Sequence, residues 1–194
     1  AYGGKTTCLK GMQAAFSEIA RLEDILSRFK EDSPLSCLNR DPSGDFVIPN
    51  DLRRVFEEAF QYEKMSNGAF SPKAAGGFDL GAIGKGYAID RAVEKLKGCG
   101  VTRFIISCGS TIYGSGTPIG KAFWPVTLRH PSEEKQEAVV LMDQAISTSG
   151  NYERSMMQNG VRTDHIIDPR SGLPVEGIAS CSVIAKTATA SDAL

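Results

Sequence analysis

Residues 78–100 read FDLGAIGKGYAIDRAVEKLKGCG, and the rest of the chain is organised around them. The stretch opens on an acid, Asp79, and then places Gly81, Gly84, Lys85 and Gly86 close together. Behind these glycines Ala88, Ile89, Ala92, Val93 and Leu96 recur at helical spacing, which predicts an amphipathic helix closed by Gly98 or Gly100. A glycine turn therefore stands at a helix N-terminus, where free backbone N–H groups and the helix dipole favour an anion. Glycines also let a ligand approach the backbone closely. Lys85 adds a cation where a diphosphate would lie, and Asp79 offers a carboxylate to a sugar hydroxyl, a base edge or a metal. A solvated strand–turn–helix corner would account for the same stretch taken alone. Two phosphate motifs are excluded. A P-loop would need Gly where Asp79 stands, and the order Gly81, Gly84, Gly86 is not the dinucleotide fingerprint.

Outward from this stretch the chain alternates helices and short strands. Met12, Phe16, Ile19, Leu22, Leu26 and Phe29 form an apolar stripe that predicts a helix over residues 9–30. The segment DSPLSCLNRDPSGD reads as turns, and Phe46, Val47 and Ile48 as a short strand. Asn50 or Asp51 then caps a second helix carrying Leu52, Val55, Phe56, Ala59 and Phe60. SNGAFSPKAAGG is a loop. After the central helix, strands are predicted over 101–107, 124–130, 137–142, from 145 into the Ser/Thr/Gly turn that follows, at 165–168 and over 180–186. Residues 187–194, TATASDAL, begin a helix. Strand clusters flanking helices without βαβ repetition predict an α+β fold with mixed or antiparallel sheets, as a single domain of two closely packed lobes over 1–194.

Composition narrows the function. The 194 residues are 41 % hydrophobic and 23 % charged with a net charge of −1, ordinary for a globular protein and against a nucleic-acid binder. No apolar run approaches the roughly 18 residues of a membrane span. No leader is evident, although one could have preceded Ala1. The five cysteines, Cys8, Cys37, Cys99, Cys108 and Cys181, contain no C-x-x-C pair, so they predict buried free thiols and lean towards a reducing compartment. Of two histidines, His130 ends a strand before Pro131 and reads as structural. His165 lies among turn residues and acids, where function and structure are equally good readings. Metal candidates are oxygen donors, Asp79, Asp164, Asp168 and Asp192 with backbone carbonyls, which suits Mg²⁺ rather than zinc. Ser147, Thr148 and Ser149 fit a phosphate contact or a capping turn. No G-x-S-x-G hydrolase motif occurs.

DLGAIGKGYAID, AISTSGNYE, HIIDPRSG and ATASDAL, in that order, resemble the ApbE family of FAD:protein FMN transferases. RLEDILSRFKEDSPLSCLNRD and SNGAF extend the resemblance over nearly the whole chain. It implies an ApbE-like fold and a Mg²⁺-dependent reaction. FAD is split at its diphosphate, FMN passes to a Thr or Ser of a partner flavoprotein, and AMP leaves. Hydrolysis of FAD to FMN and AMP, or flavin binding without turnover, are the alternatives. By the resemblance Asp79 and Lys85 contact FAD, and the Ala82 carbonyl and Asp192 carboxylate hold the metal, Asp192 also counting as catalytic. His165 acts in catalysis and Ile166 beside it touches the flavin. Phe29 stands where an aromatic meets the flavin, Tyr2 near an N-terminal flavin contact, and Ala69, Phe70 and Ser71 match an A-F-D triplet. The sequence departs from the pattern at Ser71, which replaces the Asp, and at Cys108-Gly109-Ser110. The segment between SNGAFSP and FDLGAIG is short, and the chain stops at Leu194, two residues before an expected metal-binding Thr, so the C-terminal end reads as truncated. The family's usual envelope location opposes the compartment that the free cysteines favour.

Overall fold

The computed structural model describes residues 1–74, 76–129, 136–150, 156–158, 161–163 and 166–194. Helix α1, Lys5–Leu26, starts and stops four residues before the predicted helix. It ends because Ser27 turns extended and its carbonyl collects the hydroxyls of Ser33 and Ser36. Its inward stripe is Cys8, Gly11, Ala15, Glu18, Leu22 and Leu26, so Phe16 and Phe29 of the expected stripe are exposed. Small residues let α1 lie close to its neighbours, and a volume-blind periodicity count overlooks them.

The segment read as turns contains α2, Pro34–Arg40. Ser33 caps it by accepting from the Ser36 N–H at 3.0 Å, and Pro34 takes the first helical position, where its missing N–H costs nothing. The strand expected at Phe46–Ile48 does not form. No neighbouring strand pairs with it among the described residues, and Val47 is left exposed. Helix α3, Asn50–Met65, follows Pro49 and buries Leu52, Val55 and Ala59. The hairpin β1, Lys73–Ala74, and β2, Gly77–Phe78, then leads to the glycine turn. The central helix α4 spans Gly84–Gly98. It closes as predicted: the Gly100 N–H donates to Lys97 O at 2.9 Å and the Val101 N–H to Leu96 O at 3.0 Å. Gly100 takes φ +81°, a conformation that glycine adopts without penalty.

The main sheet is antiparallel. It contains β3, Phe104–Cys108, β4, Thr111–Ser115, and β7, Gln144–Gly150, while β5, Trp124–Arg129, and β6, Gln136–Leu141, pair with each other as a separate two-stranded sheet beside it. Two short pairs follow: β8, Met156–Gln158, with β9, Val161–Thr163, and β10, Ile167–Asp168, with β11, Leu173–Pro174. Strand β12, Ser180–Ala185, completes a four-stranded order β12-β7-β4-β3. Helix α5, Ala188–Ala193, ends the chain, its first turn capped by the Thr187 hydroxyl.

Three clusters make the interior. Helices α1 and α4 pack on the sheet through Ala15, Ile89, Ala92, Leu96, Phe104 and Tyr113. The end of α1, with α2, α3 and the start of α4, buries Leu22, Leu35, Leu52, Val55 and Ile83. Trp124, Val126, Leu141 and Ile146 seat the β5–β6 hairpin. Glu18, on the buried stripe of α1, is matched by a bidentate Arg21, and Arg21 also bonds Asp51 of α3. Asp51 in turn accepts from the Tyr87 hydroxyl of α4 at 2.8 Å, so one polar chain registers three helices. No described helix is long and apolar enough to cross a membrane.

Candidate functional site

The glycine turn delivers two functional groups to one place. Leu80 closes the turn through its carbonyl, which accepts from the Ile83 and Gly84 N–H groups, and α4 begins. In a free helix the Gly86 N–H would lack a partner. Here it donates to Asp192 Oδ2 of α5 at 3.0 Å. The backbone approach requires glycine: a Cβ at residue 86 would overlap the backbone of Ala188 and Thr189. The Asp192 carboxylate thus sits at the positive end of the α4 dipole, a placement worth up to about 2 kcal/mol when partly buried.

Asp192 is 5 % exposed and has further partners. Its Oδ1 accepts from Ser147 Oγ at 3.2 Å and Thr111 Oγ1 at 3.4 Å, and the two hydroxyls lie 2.9 Å apart. Thr111 and Ser147 are directly opposed in the β4–β7 register, so sheet pairing places the two hydroxyls side by side. The Lys85 ammonium lies 3.1 Å from Asp192 Oδ1 and donates to Gly81 O at 2.8 Å. A cation therefore already stands among these oxygens. The Ala82 carbonyl, on the exposed turn beside them, accepts no hydrogen bond among the described residues. No group of three or more His, Cys, Asp or Glu side chains gathers among the described residues. The available set is one carboxylate with carbonyl and hydroxyl oxygens, which fits a hard cation of the Mg²⁺ type and no softer one.

Gly81 joins this cluster to a second. Its N–H donates to Asp79 Oδ1 at 2.8 Å while its carbonyl receives Lys85. Asp79 Oδ2 pairs with Arg28 at 2.9 Å, and the Arg28 guanidinium lies 5.0 Å from the centre of the Phe29 ring. Phe29 is 84 % exposed and, with Arg28, Ser36, Asn39 and Arg40, lines an open cleft of about 730 Å³. Asn39 fixes the cleft floor by bonding both the N–H and the carbonyl of Phe78. An aromatic face, two guanidinium groups and a polar floor suit a planar heterocycle carrying phosphate.

The remaining predicted residues are spread around these clusters. The Asp79 N–H donates to Pro72 O at 2.8 Å, which ties the Ala69–Phe70–Ser71 loop to the turn. Within it Ala69 is exposed, while Phe70 is buried against Tyr62. The Ser71 hydroxyl donates to Glu63 at 2.7 Å. Phe70 therefore shapes the loop and presents no exposed ring. Ile166 is half-buried, and its carbonyl accepts from the Val175 N–H. The following turn approaches the first loop, since a Cβ at Gly68 would meet Arg170. Arg170 holds the Asp168 carboxyl below the usual carboxylate range. Tyr2 is not brought here. It pairs with Arg103 and its ring meets Trp124 at a tilt, at the Ser115 end of β4, about 13 Å along the strand from Thr111. His165, Asp164 and His130 lie outside the described residues. Sequence reasoning missed Arg28 and Thr111, and gave Ser147 only an unspecific phosphate or turn role. An inward hydroxyl on a core strand was the available signal for the last two.

The ApbE family model matches residues 2–78 and 73–194. The match divides at the β1–β2 hairpin, where the sequence is short. A FAD:protein FMN transferase of Vibrio cholerae is 32 % identical over 235 residues, covering 92 % of this chain and 70 % of that protein. Relatives of the same name from Rhodobacter capsulatus and Salmonella typhimurium are 38 % and 32 % identical, but the chain spans only 22 % and 34 % of their lengths. Among solved structures, the ApbE protein of Thermotoga maritima superimposes with a TM-score of 0.88 at 23 % identity, covering 95 % of this chain and 76 % of that one. The flavinyl transferase ApbE of Pseudomonas stutzeri gives 0.81 at 22 %, covering 98 % and 75 %. These last two agree with the α+β architecture of helices on an antiparallel sheet. Matched from residue 2 to residue 194, with its glycine turn and closing acid in one cluster, the chain belongs to the ApbE family.

Proposed function

We propose that this chain is an FAD:protein FMN transferase that moves FMN from FAD to a Thr or Ser hydroxyl of a partner flavoprotein and releases AMP. The observation that carries the reading is the Gly81 bridge: one residue joins the Asp192–Lys85 cluster to the Asp79–Phe29 cleft, through its carbonyl on one side and its N–H on the other. A diphosphate with a flavin on one side needs such a pair of neighbours.

Phe29 and Arg28 offer the planar end of FAD a stacking face and a cation. The α4 N-terminus and Lys85 take the diphosphate. Asp192 and the Ala82 carbonyl would hold Mg²⁺, with Thr111 and Ser147 fixing the orientation of the carboxylate. A bound Mg²⁺ supplies charge against the negative charge that develops on the diphosphate. The acceptor oxygen attacks the flavin-side phosphorus, the bond to the bridging oxygen breaks, and AMP leaves with that electron pair. His165 takes the hydroxyl proton. General-base help of this kind contributes about 10² to 10⁴-fold. His165→Ala should cut saturated turnover at least about 100-fold with FAD affinity little changed; a near wild-type single-turnover rate would remove His165 from the role.

The deciding experiment incubates the chain with FAD, Mg²⁺ and a Thr-bearing acceptor peptide. Mass spectrometry should find the peptide heavier by one FMN. Free FMN and AMP with unlabelled peptide would indicate a hydrolase instead, and intact FAD would leave a binding module.

A further inference from the structure

Helix α5, Ala188–Ala193, carries Asp192 and lies against α4. The sheet holds it through the Thr111 and Ser147 hydroxyls on Asp192, and α4 holds it at two further points. Gly86 and Asp90 are one turn apart on the same face of α4, and each meets α5 at a different end. Gly86 donates to Asp192 near the end of α5. Asp90 grips its beginning: Oδ1 accepts from the Ala188 N–H at 2.8 Å, and Oδ2 accepts from the Thr189 N–H at 2.8 Å and the Thr189 hydroxyl at 2.6 Å. Ala188 and Thr189 are buried, so this grip is shielded from water.

Local capping alone does not call for this carboxylate, because Thr187 already caps α5 through the Ala190 N–H at 3.1 Å. Burial works against Asp90 and pushes its carboxyl up, with Glu94 adding to the effect, while the bonds from Thr189 and Ala188 oppose the rise. An uncharged residue would avoid that cost. The two oxygens instead set the register of α5 on α4, and with it the distance of Asp192 from Lys85, Thr111 and Ser147.

We infer that Asp90 is a positioning residue for the cation site: its three hydrogen bonds to the start of α5 align the Asp192 carboxylate for metal. This rests on the reading that Asp192 holds Mg²⁺. Asp90 itself touches neither metal nor FAD.

The test titrates Mg²⁺ into the full chain by calorimetry, with and without FAD, for wild type, Asp90→Asn, Thr189→Val and Thr187→Ala. Asp90→Asn keeps one acceptor oxygen and turns an amide towards an N–H donor. It should weaken Mg²⁺ binding at least about tenfold, with the KM for FAD at saturating Mg²⁺ within about threefold. Thr189→Val, which loses one bond of three, should fall between. Thr187→Ala should lower the melting temperature and leave Mg²⁺ affinity unchanged. Should Asp90→Asn not fold, Thr189→Val alone decides, by a weakened or unaltered Mg²⁺ affinity. Wild-type Mg²⁺ affinity in both variants, whatever their melting temperatures, overturns the positioning role and spares the proposed function. A wild-type chain that binds no Mg²⁺ with or without FAD overturns both.

Discussion

Asp192 and Phe29 stand on either side of Gly81, and their surroundings could hardly differ more. Asp192 is buried, receives a backbone N–H and two sheet hydroxyls, and faces an ammonium. Phe29 follows the end of a helix, lies almost wholly in solvent, and has a guanidinium beside its ring. The first region is organised before any ligand arrives, so its dipoles pay no reorganisation cost when charge develops. The second, on the proposed function, gains its order on binding, since an exposed ring has to be immobilised against the ligand. On the same proposed function, the chemistry belongs with the rigid half and the affinity with the open half.

The comparison breaks first at Asp192. Asp192→Asn keeps the shape and removes the charge, and should lower kcat by about 10² to 10³-fold. The KM for FAD should move much less. A loss confined to KM would place Asp192 in ground-state binding and erase the distinction between the halves.

Gly86→Ala tests the rigidity itself. The added methyl meets the α5 backbone, which cannot swing aside as a flexible side chain would. Overpacking of this kind typically costs about 1–3 kcal/mol. That corresponds to a melting temperature lower by roughly 3–10 °C for a chain of this length. Mg²⁺ affinity should fall with it, because the displaced element carries Asp192. An unchanged melting temperature would mean that α5 floats on α4.

Phe29→Ala probes the open half. Stacking of a ring on an aromatic face is worth about 1–3 kcal/mol. The KM for FAD should rise roughly 5- to 100-fold, while kcat at saturation stays within a few-fold. Circular dichroism and melting should be unaltered, since Phe29 is exposed. A large fall in kcat would show that the cleft also aligns the reacting phosphorus.

The two halves were unequally legible in the sequence. The glycine turn, its helix and the Gly100 cap follow from local chemistry, and all three form as the residues predict. Lys85 was legible as a cation beside the turn and Asp192 as one of several oxygen donors, but their contact is a matter of 107 residues of chain closing on itself, which no local pattern encodes. Thr111 and Ser147 are spaced along different strands, so their pairing exists only in the register. Arg28 was hidden for the opposite reason. It follows a helix that ends earlier than its apolar stripe implies, because the Ser27 carbonyl recruits the hydroxyls of α2. The stripe counted Phe29 as core, and the serines decided otherwise.

Glu58 gives the smallest expected effect and the finest test of the rigid half. It lies on α3, half-buried, with no hydrogen bond or ion pair among the described residues. Burial pushes its carboxyl up, and the charge of Asp90 adds to that. Asp90 is raised as well, so the α5 grip sits beside a second reluctant acid. A carboxyl raised in the folded state favours the protonated form. Its contribution to stability is therefore full below the unfolded-state pKa and is lost as pH rises through the folded value. Glu58→Gln removes that loss. The variant should match wild type near pH 4 and melt higher at pH 8, by on the order of 1–3 °C. Asp90→Asn should show the same sign at pH 8 from relieved repulsion, offset by its broken bonds to Ala188 and Thr189. Opposite outcomes for the two neighbours would separate a carboxylate that is merely tolerated from one that holds α5 in register. Equal melting of Glu58→Gln and wild type across this range would show that Glu58 and Asp90 do not share a field.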